Sequence, residues 1–110
     1  MARRAAKRDA NEPAIVAALE AVGCHVQKID ADDGTPDLVV AYPDRSLYID
    51  DPCLWSWQMC YMEVKGPNGK LTPVQEKWWA GWRERVDTGD AGPAYIVHSA
   101  EEALKIVRGY

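Results

Sequence analysis

With 110 residues, 47% of them hydrophobic, the chain is sized for a single packed domain and lies far from the composition of disorder. A formal charge of −4 argues against indiscriminate attraction to nucleic acid. No apolar run approaches the roughly 18 residues that cross a bilayer, and the N-terminus shows no signal-peptide core, so a soluble cytoplasmic protein without a membrane partner is expected.

The charge is unevenly placed. Arg3, Arg4, Lys7 and Arg8 make residues 1–10 a basic arm ahead of a more acidic domain at 11–110. Such an arm is compatible with phosphate contact and equally with a solvated tail. Cys24, Cys53 and Cys60 have neither framework nor zinc spacing and read as free thiols. His25 and His98 read as structural or surface residues.

Glu12 to Val22 should form a first helix, with Asn11 as N-cap, Pro13 in the first turn and Gly23 at the close. Its apolar stripe is Ile15, Val16, Leu19 and Val22. Glu12 lies in line with that stripe, which makes it either a first-turn acid favoured by the helix dipole or part of a site. Residues 24–30 alternate weakly as a strand, and 31–36 form a turn cluster. The apolar run 37–42 reads as a strand covered on both faces, with a turn at 43–45.

A long hairpin is expected next, with arms at 45–49 and 54–65 and a bulge or break near 56–58. Residues 66–70 are a loop. The spacing then predicts a second helix with Thr72 as N-cap and Pro73 first, whose stripe of Val74, Trp78, Trp82 and Val86 should be core. A buried strand at 94–98 and a helix at 99–107, opened by a Ser99–Glu102 capping box, complete the chain. The order α-β-β-β-α-β-α predicts an α/β fold, a mixed sheet flanked by helices, with an extended hairpin between its second and third strands.

Several polar residues sit awkwardly in this frame. Glu63 and Lys65 are two apart in a strand and so share a face. They could neutralise each other at a sheet edge, since a buried carboxylate needs a partner. Asp37 follows Pro36 at the mouth of an apolar strand, either as a turn residue or, if that strand neighbours 59–65, converging with Glu63. Two hard oxygen ligands suit Mg²⁺ or Mn²⁺ rather than zinc. Gln75 has the spacing of a capping box with Thr72 and also stands just beyond the loop leaving Lys65.

Taken together, E-P-A-I-V-A-A-L-E-A-V-G (12–23), G-T-P-D-L-V-V (34–40), Y-M-E-V-K-G-P (61–67), K-L-T-P-V-Q-E-K-W (70–78) and A-Y-I-V-H-S-A-E-E-A-L (94–104) resemble the PD-(D/E)XK nuclease superfamily. The nearer likeness is to its VRR-NUC (virus-type replication-repair nuclease) branch, with a restriction-endonuclease-like core. The resemblance implies an Mg²⁺- or Mn²⁺-dependent endonuclease acting on DNA, with branched or flapped DNA as the suggested substrate and no organic cofactor. Asp37, Glu63 and the Val64 carbonyl would hold the metal, and Glu12 would reach it directly or through water. Lys65 would serve the attacking water or the transition-state charge, and Gln75 would help position the site. Lys65, Lys70, Lys77, Arg83, Arg3 and Arg4 could meet phosphates.

The stretch 45–60 is longer than this pattern expects and carries Trp55, Trp57 and, just beyond it, Tyr61. It reads as a hairpin with its own aromatic packing or as a substrate-contacting or dimer-forming arm. A homodimer would supply the second strand cut, and a bacteriophage protein in a bacterial host is the setting the likeness suggests. The alternative function is an inactive nucleic-acid- or protein-binding module on the same fold. A purely structural domain, with Glu63 and Lys65 as an ion pair, is the third possibility.

Overall fold

A computed structural model describes residues 9–44, 56–87, 89 and 92–108. Arg3, Arg4, Cys53, Trp55 and the strand expected at 45–49 lie outside the described residues. The elements are α1 (Glu12–Ala21), β1 (His25–Lys28), β2 (Leu38–Asp44), β3 (Ser56–Val64), α2 (Pro73–Asp87), β4 (Ala94–Val97) and α3 (Ala100–Arg108). This is the α-β-β-β-α-β-α order expected, around a mixed sheet of order β1-β2-β3-β4. β1, β2 and β3 form an antiparallel meander, and α2 carries the chain to β4, which lies parallel to β3. No helix among the described residues is long and apolar enough to cross a membrane.

Alternation sorts the strands into two unlike faces. Leu38, Val40, Cys60, Met62, Val64 and Val97 point to one side, where Ile15 and Leu19 of α1 and Ala103 of α3 complete a solvent-free core. Residues 57, 59, 61 and 63 point to the other side. There α2 rests on Tyr61 through Trp78 and Trp82, whose rings meet it edge-on at 5.5 and 5.1 Å.

That asymmetry corrects two expectations. The α2 stripe is not core, because Val74 is 51% exposed and Trp78 and Trp82 are only half-buried. Nor is β4 buried: it is an edge strand with Tyr95 and Ile96 exposed and only Val97 inside. The buried apolar cluster lies on the α1–α3 side, and α2 meets the opposite face around Tyr61.

The hairpin differs as well. Its arms are β2 and β3 themselves, paired residue for residue from Leu38↔Met62 to Asp44↔Ser56, with no bulge at 56–58. Pro43 and Asp44 therefore extend β2 instead of turning the chain. β1 reaches only to Ala41, so among the described residues β2 has no neighbour on that side beyond it, and a proline without an N–H is tolerated.

The helix ends are set locally. Gly23, at φ 92°, closes α1 with bonds from Gly23 and Cys24 N–H to the Glu20 and Leu19 carbonyls. At α3, Ser99 Oγ accepts the Glu102 N–H as expected, but Glu102 Oε1 accepts the N–H of His98, one residue before the cap. Asn11 makes no side-chain cap on α1. Its amide is used elsewhere, as described next.

Candidate active site

Register brings Asp37 and Glu63 together. Asp37 immediately precedes β2, and Leu38 pairs with Met62, so Asp37 faces the end of β3. There its Oδ2 accepts the Val64 N–H at 2.9 Å, while its own carbonyl accepts from Ile29 at 2.7 Å. Asp37 thus stands opposite Glu63, near enough for its charge to raise the Glu63 carboxyl. In an extended strand a residue's N–H and C=O share a side, so the Val64 carbonyl opens toward the Asp37 edge too.

The approach to Asp37 is shaped by Gly34. A Cβ there would lie 2.5 Å from the Val74 carbonyl oxygen and 3.0 Å from Trp78 Cβ, and its φ is +91°. Only glycine permits both the left-handed backbone and this close contact. The loop before Asp37 is thereby seated against the first turns of α2.

α2 delivers Gln75 to the same place. Thr72 and Gln75 do form a capping box: Gln75 Oε1 accepts the Thr72 N–H at 2.9 Å, and Thr72 Oγ1 accepts the Gln75 N–H at 3.3 Å. The same Oε1 accepts from Lys65 Nζ at 2.6 Å, while Gln75 Nε2 donates to Glu63 Oε2 at 3.3 Å. Glu63 and Lys65 share a face because one glutamine joins them, not because they pair with each other. The simple edge ion pair is therefore not what the strand contains.

Glu63 is 1% exposed, and its Oε1 has no hydrogen-bond partner. Burial pushes its carboxyl up to about 9, helped by the hydrogen bond and charge of Asp37; Lys65 opposes the shift and Asp9 adds to it. A buried acid of this kind either holds a proton or needs a cation beside it. Two adjacent carboxylates, one with an unused buried oxygen, are a donor set that fits a hard divalent ion.

Glu12, 2% exposed in the first turn of α1, is buried and not a solvated dipole charge. Among the described residues, however, no three His, Cys, Asp or Glu side chains are grouped to hold a metal, so Glu12 does not close a three-acid cage with the pair. Lys70, Lys77 and Arg83 are exposed, Lys70 in the loop after Lys65 and the other two on α2.

Two contributors escaped the sequence reading. Asn11 Nδ2 donates to the carbonyls of Lys65 at 3.0 Å and His98 at 2.8 Å, pinning the start of α1 to the ends of β3 and β4. Asp9 adds its charge to the Glu63 environment from what read as the end of the basic arm. An Asn ahead of a helix looks like a cap in any sequence, and nothing local marks it as a long-range clamp. Cys24 and Cys60 are buried thiols in no disulfide, and burial, then proximity to Cys24, pushes Cys60 up to about 12.

Compared by sequence, the chain matches no protein-family model and no curated protein. Compared by structure, it is similar to a solved chain described as "VRR_NUC domain". The likeness has a TM-score of 0.59 and covers 91% of this chain and 97% of that chain at 23% identity. The two chains share a fold.

Proposed function

We propose that the chain is a divalent-metal-dependent nuclease hydrolysing DNA phosphodiester bonds, with branched or flapped DNA as substrate. The observation carrying this reading is the placement of Asp37 opposite the buried Glu63, beside a lysine whose amine donates to Gln75 at 2.6 Å. The likeness to a VRR_NUC domain supports it.

Asp37, Glu63 and the Val64 carbonyl would hold Mg²⁺ or Mn²⁺, with Glu12 acting through water. The bound ion supplies positive charge at the scissile phosphate and makes a water nucleophilic at neutral pH. Lys65 presents its ammonium to the same phosphate, where it orients the attacking water and offsets charge gathering on the phosphate oxygens. Gln75 fixes the Lys65 amine and the Glu63 carboxylate relative to each other. Asp37 is fixed in place by the Val64 N–H. Lys70 and Lys77 would meet flanking phosphates, as would Arg3 and Arg4 from the basic arm.

One such site cuts one strand, and we take the working form to be a homodimer. Trp57 and Met59, 58% and 59% exposed on the hairpin, supply apolar surface for it. A monomer by light scattering at assay concentration removes that part of the proposal. The setting we propose is the cytoplasm of a phage-infected bacterium.

The test is incubation of the purified protein with Mg²⁺ or Mn²⁺ and linear, flapped and four-way DNA, beside Asp37→Ala and Lys65→Ala. Cleavage lost in both variants is expected, and equal cleavage by either overturns the assignment. One observation favours the rival, an inactive binding module: no three-acid cage exists among the described residues. Mn²⁺ binding that depends on Asp37, with no DNA cut, would decide for it.

A further inference from the structure

Beyond the carboxylates, the same face of the sheet holds a feature that hydrolysis does not use. Trp79, Trp82 and Arg83 of α2 meet Pro93 and Ala94, where the chain enters β4, around an open cleft of ≈ 290 Å³. Ligand pockets run from about 300 to 1,000 Å³, so this one has room for a single ring system.

Its aromatic wall is rigid. The Trp82 indole N–H donates to the Gly92 carbonyl at 2.9 Å. Its ring stacks on Trp78 with centroids 5.1 Å apart and planes 15° apart, and Tyr61 meets it edge-on. What remains of the ring lines the cleft, already ordered before anything binds. The Trp79 indole N–H, shielded from solvent, has no acceptor among the described residues. Beside them Arg83 is exposed.

We infer that this cleft receives one unpaired nucleobase of the substrate strand, stacked on the tryptophans, with Arg83 on the adjoining phosphate. Stacking on an aromatic side chain accepts any base, because every base has a π-face, and arginine adds the charge such sites use. The position suits the chemistry. Trp82 lies seven residues along α2 from Gln75, roughly 10 Å at 1.5 Å per residue. That reach puts the captured base within a few nucleotides of the scissile bond. A fully paired duplex offers no free base here, whereas a flap, a junction or a frayed end does. The inference rests on the nuclease reading and gives it a structural reason to prefer unpaired DNA.

The experiment is an abasic scan. A labelled duplex with a 12-nucleotide single-stranded flap, whose junction fixes the register, is titrated with the full chain by fluorescence anisotropy, one abasic position being moved along the flap. EDTA and fixed salt are present throughout, so nothing is cut. In the wild type, one position should weaken binding about 10-fold. In Trp79→Leu, its fold checked by circular dichroism, that penalty should shrink below about twofold. Arg83→Ala, an exposed change, should weaken all strands alike and lower the salt slope by about 1.

A flat scan, the outcome if the cleft docks a protein segment instead, overturns the inference. So does an abasic penalty unchanged in Trp79→Leu. Cleavage assays run in parallel keep the two readings apart. A flat scan with active enzyme removes the cleft and leaves the nuclease. A position-specific penalty without cleavage keeps the cleft and removes the nuclease.

Discussion

Glu63→Gln in the metal-free protein separates a ligand carboxylate from a structural one. The substitution keeps the side chain's size and a polar contact for Gln75, but removes the ionisable group. In the unfolded chain Glu63 titrates near 4.5, and in the fold its carboxyl is pushed up to about 9. An acid so raised stabilises the fold fully below pH 4.5, and that contribution is lost as pH climbs toward 9. At pH 8 the shift corresponds to about 5 kcal/mol at 1.36 kcal/mol per pH unit.

A gain of about 2–4 kcal/mol is therefore expected for Glu63→Gln at pH 8 with EDTA, or on the order of 10 °C in Tm. The gain should vanish at pH 4.5. Urea unfolding across pH 4.5–9 measures it. Added Mn²⁺ should then stabilise the wild type and leave the variant unmoved. A variant less stable than the wild type by more than about 1 kcal/mol at pH 8 would falsify the argument, since it would mean that an ionised Glu63 is held by structural partners.

Other changes give distinct signatures. On the proposed mechanism, in which the amine acts on the phosphate and not on the ion, Lys65→Ala should cut the cleavage rate by about 10²–10³ while keeping the Mn²⁺-induced rise in Tm. A lost metal response would place Lys65 in the ion's own environment. Gln75→Ala should lower the rate by about 10–100-fold, as supporting contacts of a metal site do, and cost about 1 kcal/mol of stability through the capping box; both are read on one preparation. Gly34→Ala should destabilise by about 1–3 kcal/mol, since the new Cβ meets the Val74 carbonyl at 2.5 Å on a left-handed backbone. Equal urea midpoints for Gly34→Ala and wild type would refute that contact.

What could be read from the chain was what local rules decide. Gly23, Pro73 and Thr72 mark helix ends through backbone chemistry within a few residues, and the structure places those ends there. Periodicity showed which face of α2 is apolar, but not what would cover it, so Val74 and Ile96 were assigned to a core that lies across the sheet. Pro43 reads as a turn because its tolerance in β2 depends on β1 reaching only to Ala41, which the sequence does not show. The convergence of Asp37 and Glu63 needed one guess, that their strands are neighbours. Asn11 and Asp9 could not be found that way, because their reach to Lys65, His98 and Glu63 exists only after folding.

The unbroken β2–β3 ladder has a practical corollary. Its seven pairs span roughly 20 Å at about 3.4 Å per residue, with the acidic pair at one end and the 45–55 connection at the other. Alignment at the acidic end is enforced by burial of Leu38, Val40 and Met62, independently of what joins the arms. The connection can therefore be lengthened, exchanged or fused to a foreign peptide while the ladder keeps its pairing. Change there would leave the placement of Asp37 and Glu63 untouched.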